Sequence, residues 1–185
     1  MSRSTPWRGA VLLALLAAVP ACASSSDAMP SCMPGNRLAI LAQAVPSAEY
    51  LPCVAVMPVG WDFGQLDVED GSATFWLDHD REGLRTAEVG FAATCDTTGA
   101  FDQGPMGGAE RYVRPGSVSP AYAATTYDVF AGGCVTYRYS FTKGENAEHI
   151  GLLNELFETI ALFPRTAVED EVRRDLGQEL APVAS

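Results

Sequence analysis

The chain has little of what most catalysis and nucleic-acid binding rest on. It carries 12 Lys and Arg against 23 Asp and Glu, for a net charge of −11. No basic run interrupts that balance, so the phosphate capture that dominates nucleic-acid binding has no footing, and an anionic lipid surface offers no attraction. The acidic excess reads as solubility. Only two histidines are present, His79 and His149. No serine stands in a G-x-S-x-G context, and neither G-x-G-x-x-G nor G-x-x-x-x-G-K-[ST] occurs, which removes the common nucleophile-elbow and phosphate-cradling signatures. No two cysteines have C-x-x-C spacing, against a zinc knuckle or a dithiol redox site. No apolar run approaches the roughly 18 residues that span a bilayer.

What the chain does have begins with an address. Arg3 and Arg8 precede the uncharged run Val11 to Val19, an arrangement expected of a secretory signal. Val19-Pro20-Ala21-Cys22 resembles the lipobox of bacterial lipoproteins, in which the Cys is lipidated and becomes the new N-terminus. Val19 and Pro20 depart from the usual Leu and small residue. The competing reading is an ordinary cleavage after Ala23. The expectation is a signal peptide over 1–21, lipidation at Cys22, a flexible tether over 22–35 and a single extracytoplasmic domain over 36–180. The small polar residues Ala23-Ser24-Ser25-Ser26-Asp27 suit a solvated tether. Localisation follows as the outer face of the cytoplasmic membrane, or secreted if the other cleavage holds. With no electrostatic attraction to lipid, the anchor alone holds the protein at a membrane.

Either processing leaves Cys32, Cys53, Cys95 and Cys134 free to pair, with three possible connectivities. Consecutive pairing, Cys32 with Cys53 and Cys95 with Cys134, is expected. The closed loops, about 20 and 40 residues long, would each contribute roughly 3–4 kcal/mol in the chain-entropy account.

The mature part, about 160 residues, is enough for one domain with its own core. Its organising stretch is Thr125 to Phe141, TTYDVF-AGG-CVTYRYSF. Gly132-Gly133 marks a hairpin, and Val135, Tyr137, Tyr139 and Phe141 alternate with Thr136, Arg138 and Ser140, the period of a strand with one buried face. Cys134 then falls on the face opposite Val135, while Cys95 falls on the apolar face of its own strand. A bulge, or a disulfide beyond the strand's end, would reconcile the two. Upstream, strands are expected from about Phe63, turning at Asp70-Gly71, and over Ser72 to Asp78 and Thr86 to Cys95. His79 to Leu84 and Asp96 to Gly108 read as loops, and Glu110 to Arg114 as a short edge strand. Tyr50 to Val56 is either a short strand or an extended lead-in. Helical spacing appears over Arg37 to Val45, where Asn36 caps, and in the stripe Ile150, Leu153, Phe157 and Ile160. Pro164 stops that helix. Thr166-x-x-Glu169 predicts a capping box for another, with Val168, Val172 and Leu176 buried and Gly177 at its end. The fold class is α+β: an antiparallel meander of about five or six strands, with an N-terminal helix and two C-terminal helices packed on one face.

The runs Leu51–Trp61, Ala73–Arg81 and Val129–Phe141, with a strand ending in Cys95 between the last two, resemble a group of uncharacterised lipoproteins from high-GC Gram-positive bacteria. The resemblance implies a surface address and a four-Cys extracytoplasmic domain. It implies no activity.

Three sets of side chains merit a place as site candidates. Asp78-His79-Asp80 could hold a divalent ion or supply a base, yet neighbours on a strand point to opposite faces, and a zinc site needs further ligands. A solvated turn is the plainer reading, and no metal or cofactor is expected. His149, at the edge of a helix stripe, reads as a boundary histidine paired with water or a carboxylate. Trp61, Trp76, Tyr137 and Tyr139 could line an apolar cleft, although such aromatics are more often sheet and core packing. The function expected is a non-enzymatic, lipid-anchored binding domain for an envelope protein or lipid. The alternatives are a carrier of an apolar ligand between sheet and helices, and a metal-dependent hydrolase using Asp78, His79 and Asp80.

Overall fold

A computed structural model of the chain describes residues 24–26, 28–33 and 36–180. The signal peptide and Cys22 lie outside the described residues, so the lipidation reading does too. Ten strands and three helices are described: β1 Ser24–Ser26, α1 Asn36–Ala44, β2 Tyr50–Val54, β3 Trp61–Glu69, β4 Ser72–His79, β5 Gly83–Ala92, β6 Phe101–Met106, β7 Ala109–Ser117, β8 Tyr122–Phe130, β9 Gly133–Phe141, α2 Asn146–Thr159, β10 Ile160–Pro164 and α3 Arg165–Leu176.

The α+β class holds, and the sheet is larger than five or six strands. Eight strands form one antiparallel sheet in the order β1-β3-β4-β5-β9-β8-β7-β6, and β10 pairs with β2 in a second, small one. The main sheet is not a simple meander. β3 to β5 run as successive hairpins, β6 to β9 do the same, and β9 inserts beside β5. The link from β5 to β6 therefore travels past β9, β8 and β7. On its way Cys95 bonds to Cys134 and Asp96 offers its carbonyl to Arg114 Nη2 at 2.6 Å.

Both disulfides are the consecutive pairs, Cys32–Cys53 and Cys95–Cys134. The facing conflict between Cys95 and Cys134 resolves because β5 stops at Ala92, which pairs with Cys134. Cys95 lies beyond the strand and reaches the outer face, where Cys134 points. Within the stretch expected to be a tether, Ser24–Ser26 pair with Leu66–Val68 of β3, and Cys32 donates its amide to Val54.

Several boundaries moved, each for a local reason. β6 occupies part of the Gly-rich 96–108 stretch read as loop. As an edge strand it tolerates Gly104 and Pro105, because its outer backbone groups face solvent. β7 is then interior rather than edge. The stretch over Tyr50–Val56 resolves as strand β2. The helix stripe expected at Ile150, Leu153, Phe157 and Ile160 is rotated: His149, Leu152, Leu156 and Thr159 are buried and Ile150 is exposed. Ile160 has already left the helix to pair with Val54. The capping box sits at Glu145 and Glu148 of α2, not at Thr166 of α3. There the N-cap is Pro164, with no side-chain cap bond, and Glu169 instead accepts from Arg165 Nε at 2.7 Å. Leu176 is exposed; Val168 is fully buried. Gly177 ends α3 with φ 62°, the left-handed conformation that glycine accepts without strain.

The helices cover one face of the sheet unevenly. α1 packs on β3, β4 and α3, while α3 packs on α1 and β10 rather than joining α2 as a pair on the sheet. The buried Arg165 links α3 to α1 through Ala42, its Nη1 donating to that carbonyl at 2.6 Å. The core lies between this layer and the inner faces of β3, β4, β5 and β9, with Phe75, Leu77, Val89, Phe91 and Val135 among its fully buried members. The inner face of β6–β8 continues past that cover.

Candidate functional site

Cover that ends short of the sheet's edge leaves a cleft of about 750 Å3 between the inner face of β7–β9 and the α2–β10 corner. Register decides what lines it. Arg111 pairs with Asp128, and Asp128 with Val135, so both charged residues share the inner face with Tyr137. Val113 and Met106 extend the apolar wall. Phe157 and Asn154 come from α2, and Ile160 and Leu162 from β10. The volume and the mostly apolar lining with a few convergent polar groups are those of a small-molecule site. Phe101, paired with Val113, lies exposed on the same face of the edge strand.

At the base of the cleft Arg111 and Asp128 form a two-pronged ion pair, Nε to Oδ1 and Nη2 to Oδ2, each 2.7 Å. Their side chains are 12% and 3% exposed. Burial pulls the Arg111 guanidinium toward lower pKa, but the hydrogen bonds and charge of Asp128 outweigh it and the net shift is upward. The Phe157 ring lies 4.3 Å from the guanidinium carbon, within cation–π range. Tyr137 faces the same carboxylate. Burial, and then the negative charge of Asp128, push its hydroxyl well above the usual phenol range, so at neutral pH it remains a neutral donor. The cleft thus presents mostly apolar walls, with Gln103, Asn154 and the Glu158 carboxylate among them, around a charge-compensated polar base, with some guanidinium N–H groups not consumed by Asp128.

The residues expected from sequence fall in three places. Tyr137 lines the cleft. Tyr139 and Trp61 are buried in the core beside it. Tyr139 stacks with Phe141 at 5.5 Å and meets Phe157 edge-on at 6.3 Å, while Trp61 donates from Nε1 to Glu155 Oε2 at 2.9 Å. Trp76 points to the opposite face of the sheet, where Nε1 donates to Glu88 Oε2 at 3.2 Å. Asp78, His79 and Asp80 do not all converge. His79 is buried on the inner side, and its Nδ1 accepts the amides of Arg81 and Glu82 at 3.3 Å each. The Asp78 carboxylate faces outward and accepts the Arg85 amide at 2.7 Å; the exposed Asp80 brings Oδ1 to 3.5 Å from His79 Nδ1, so two of the three meet and Asp78 does not join them. Among the described residues, no three His, Cys, Asp or Glu side chains are placed to hold a metal together. His149 is buried rather than at a boundary. It stacks on Tyr122 at 5.9 Å, and its Nε2 meets the Lys143 carbonyl at 3.2 Å.

No protein family, curated protein or solved structure matches this chain. The two disulfides indicate an oxidising, extracytoplasmic setting, and no described helix is long and apolar enough to cross a membrane.

The pair Arg111–Asp128 was missed in the sequence. Its signal was an aspartate inside an otherwise apolar and threonine-rich strand, 17 residues downstream of an arginine on the preceding strand. Only the register brings the two charges face to face.

Proposed function

We propose that the protein is a lipid-anchored, extracytoplasmic binding domain, without catalytic activity, that holds an amphiphilic envelope ligand in the cleft between β7–β9 and the α2–β10 corner. An apolar chain packs on Val113, Met106, Phe157 and Leu162, and a neutral oxygen-bearing head accepts hydrogen bonds from the free N–H groups of Arg111. The observation that carries this reading is the buried ion pair at the base of an open, mostly apolar cleft. A neutralised pair recognises polar groups without demanding a counter-charge. The carrier alternative is thereby preferred over a purely protein-binding module. The hydrolase reading is less favoured: Asp78 lies on the opposite side of the sheet from His79, and the contact of His79 Nδ1 with Asp80 Oδ1 at 3.5 Å is joined by no third metal-ligating side chain among the described residues.

The test is to purify the protein from its own membranes in mild detergent and compare native with denatured mass. A co-purifying molecule with an apolar chain, lost when Val113→Trp fills the cleft, supports the proposal. An unliganded native mass, together with no displaceable binding of a fluorescent fatty acyl probe, refutes it. The denatured mass also tests the anchor: a diacylglycerol-sized increment on a chain starting at Cys22 supports lipidation, and a chain starting at Ser24 refutes it.

A further inference from the structure

The outer face of the sheet holds a second depression, of about 530 Å3, that the cleft does not use. Its lining is unusual for a chain of net charge −11. Arg85, Arg114 and Arg138 line it, against the single carboxylate of Glu88. Strand register puts most of these groups in one row. Trp76 pairs with Glu88, Glu88 with Arg138, Arg138 with Thr125, and Thr125 with Arg114. The row crosses β4, β5, β9, β8 and β7 at right angles to the strands. At about 4.8 Å per strand it extends about 19 Å, with the Arg138 and Arg114 backbones about 10 Å apart.

The charges along the row are incompletely matched. Glu88 accepts from Trp76 with one oxygen and pairs with Arg138 through the other. Arg114 and Arg85 make no ion pair among the described residues. The Arg114 guanidinium lies 5.1 Å from the Tyr127 ring centre; Nη2 bonds a backbone carbonyl, and its buried Nε has no partner. Two further carboxylates border the row: Asp78, which accepts the Arg85 amide at 2.7 Å, and Asp96, in an adjoining depression that Arg114 and Arg138 also line. Arg85 is the one non-glycine residue described with positive φ, 55°. Its amide is held by Asp78, and its guanidinium lies 4.7 Å from the Trp76 ring centre. A strained backbone kept in place to hold an arginine over a tryptophan favours a functional reading of the pair.

We infer that this outer groove binds an acidic polysaccharide, with sugar carboxylates on Arg138 and Arg114 and sugar rings laid along the row toward Trp76. Charge complementarity selects an anion, and the planar guanidinium fork fits carboxylate in two-pronged fashion. The groove's length suits an extended chain rather than a single small anion. The Thr125 and Ser140 hydroxyls supply hydrogen-bonding partners for sugar hydroxyls, and Arg85, held over the indole, adds a further guanidinium at that end of the row. The inference is independent of the inner cleft.

The experiment titrates the disulfide-intact protein by calorimetry with oligogalacturonate, with a neutral malto-oligosaccharide of matched length, and with polyphosphate. Oligogalacturonate is expected to bind and the neutral chain not to. Arg138→Gln and Arg114→Gln are each expected to weaken binding about tenfold or more, the equivalent of one charge-assisted hydrogen bond. Raising ionic strength from about 0.05 to about 0.5 M should weaken it further. Thr125→Glu places a carboxylate mid-row on a half-exposed site and is expected to abolish binding; it serves if an arginine variant does not fold. Val113→Trp, which blocks the cleft, should leave this binding unchanged. Absence of oligogalacturonate binding, binding indifferent to these groove substitutions, or polyphosphate binding as tight as the sugar acid overturns the inference.

Discussion

Removing Asp128 alone should be among the most damaging single changes in the sheet, and removing it together with its partners among the least. In Asp128→Ala the Arg111 charge stays in a site that is 12% exposed with no carboxylate. Breaking a buried pair this way costs about 3–5 kcal/mol. The open cleft lets water reach the guanidinium, and Phe157 still faces it, so the low end of that range, about 3 kcal/mol, is expected. With a urea slope of about 2 kcal/mol/M, the midpoint falls by about 1.5 M. In the triple variant Arg111→Met/Asp128→Leu/Tyr137→Phe the charges and the orphaned hydroxyl go together. Apolar groups of similar volume replace them, and stability should return to within about 1 kcal/mol of the parent. Urea unfolding followed by Trp fluorescence reads all three proteins. A triple variant as unstable as Asp128→Ala would show that the ion pair is structural cement, and the case for a ligand at the base of the cleft would go with it. A stable triple variant that has lost the co-purifying ligand is the expected result.

Further outcomes follow from other contacts. Cys95→Ser/Cys134→Ser opens a loop with sequence separation 39 and should cost about 4 kcal/mol, read as a lower thermal midpoint; a shift near zero would mean that Arg114 and the strand pairing alone hold the crossover. Glu82 is pulled upward by burial. The amides of Thr142 and Lys143 and the Thr142 hydroxyl outweigh that and hold its carboxyl below the usual range. Because the folded state lowers this pKa, the stabilisation is fully present above the unfolded value of 4.5 and is lost as pH falls through the folded one. Parent and Glu82→Gln should therefore converge in stability below that window, and parallel acid-unfolding curves would refute the role. At Gly132 the backbone has φ 66°, and an added Cβ would lie 1.9 Å from the Ser47 carbonyl oxygen. Gly132→Ala should destabilise by about 1–3 kcal/mol, and an unchanged thermal midpoint would show that the Ser47 loop moves aside freely.

How far the sequence carried is clearest at β9 and β6. Val135 to Phe141 alternates apolar and polar residues strongly enough to fix both the strand and its buried face, and the cysteines pair as their order implied. β6 was invisible because an edge strand is under little compositional constraint: Gly104 and Pro105 read as loop and are tolerated there. The α2 stripe was misread by one position because Ile150, Leu153 and Phe157 satisfy helical spacing as well as His149, Leu152 and Leu156 do. Only the packing of His149 against Tyr122 and Phe141 chooses between them. The site followed the same rule. Tyr137 was found through its strand, whereas Arg111 and Asp128 meet only once β7 and β8 are in register, which periodicity within one strand cannot supply.

The position of β9 beside β5 divides the sheet into two stacks of hairpins, β3–β5 and β6–β9, each built from contacts close in sequence. They meet along a single seam, where Ala87 to Ala92 pair with Cys134 to Tyr139. Each stack can form locally and early, while the seam must wait for a long loop to close, so its zippering is the expected slow step of folding. Cys95–Cys134 sits at one end of that seam. Oxidation in the extracytoplasmic space then acts as a clasp fastened on a join already made, and a reducing environment would leave the two stacks held by strand pairing and the helices alone.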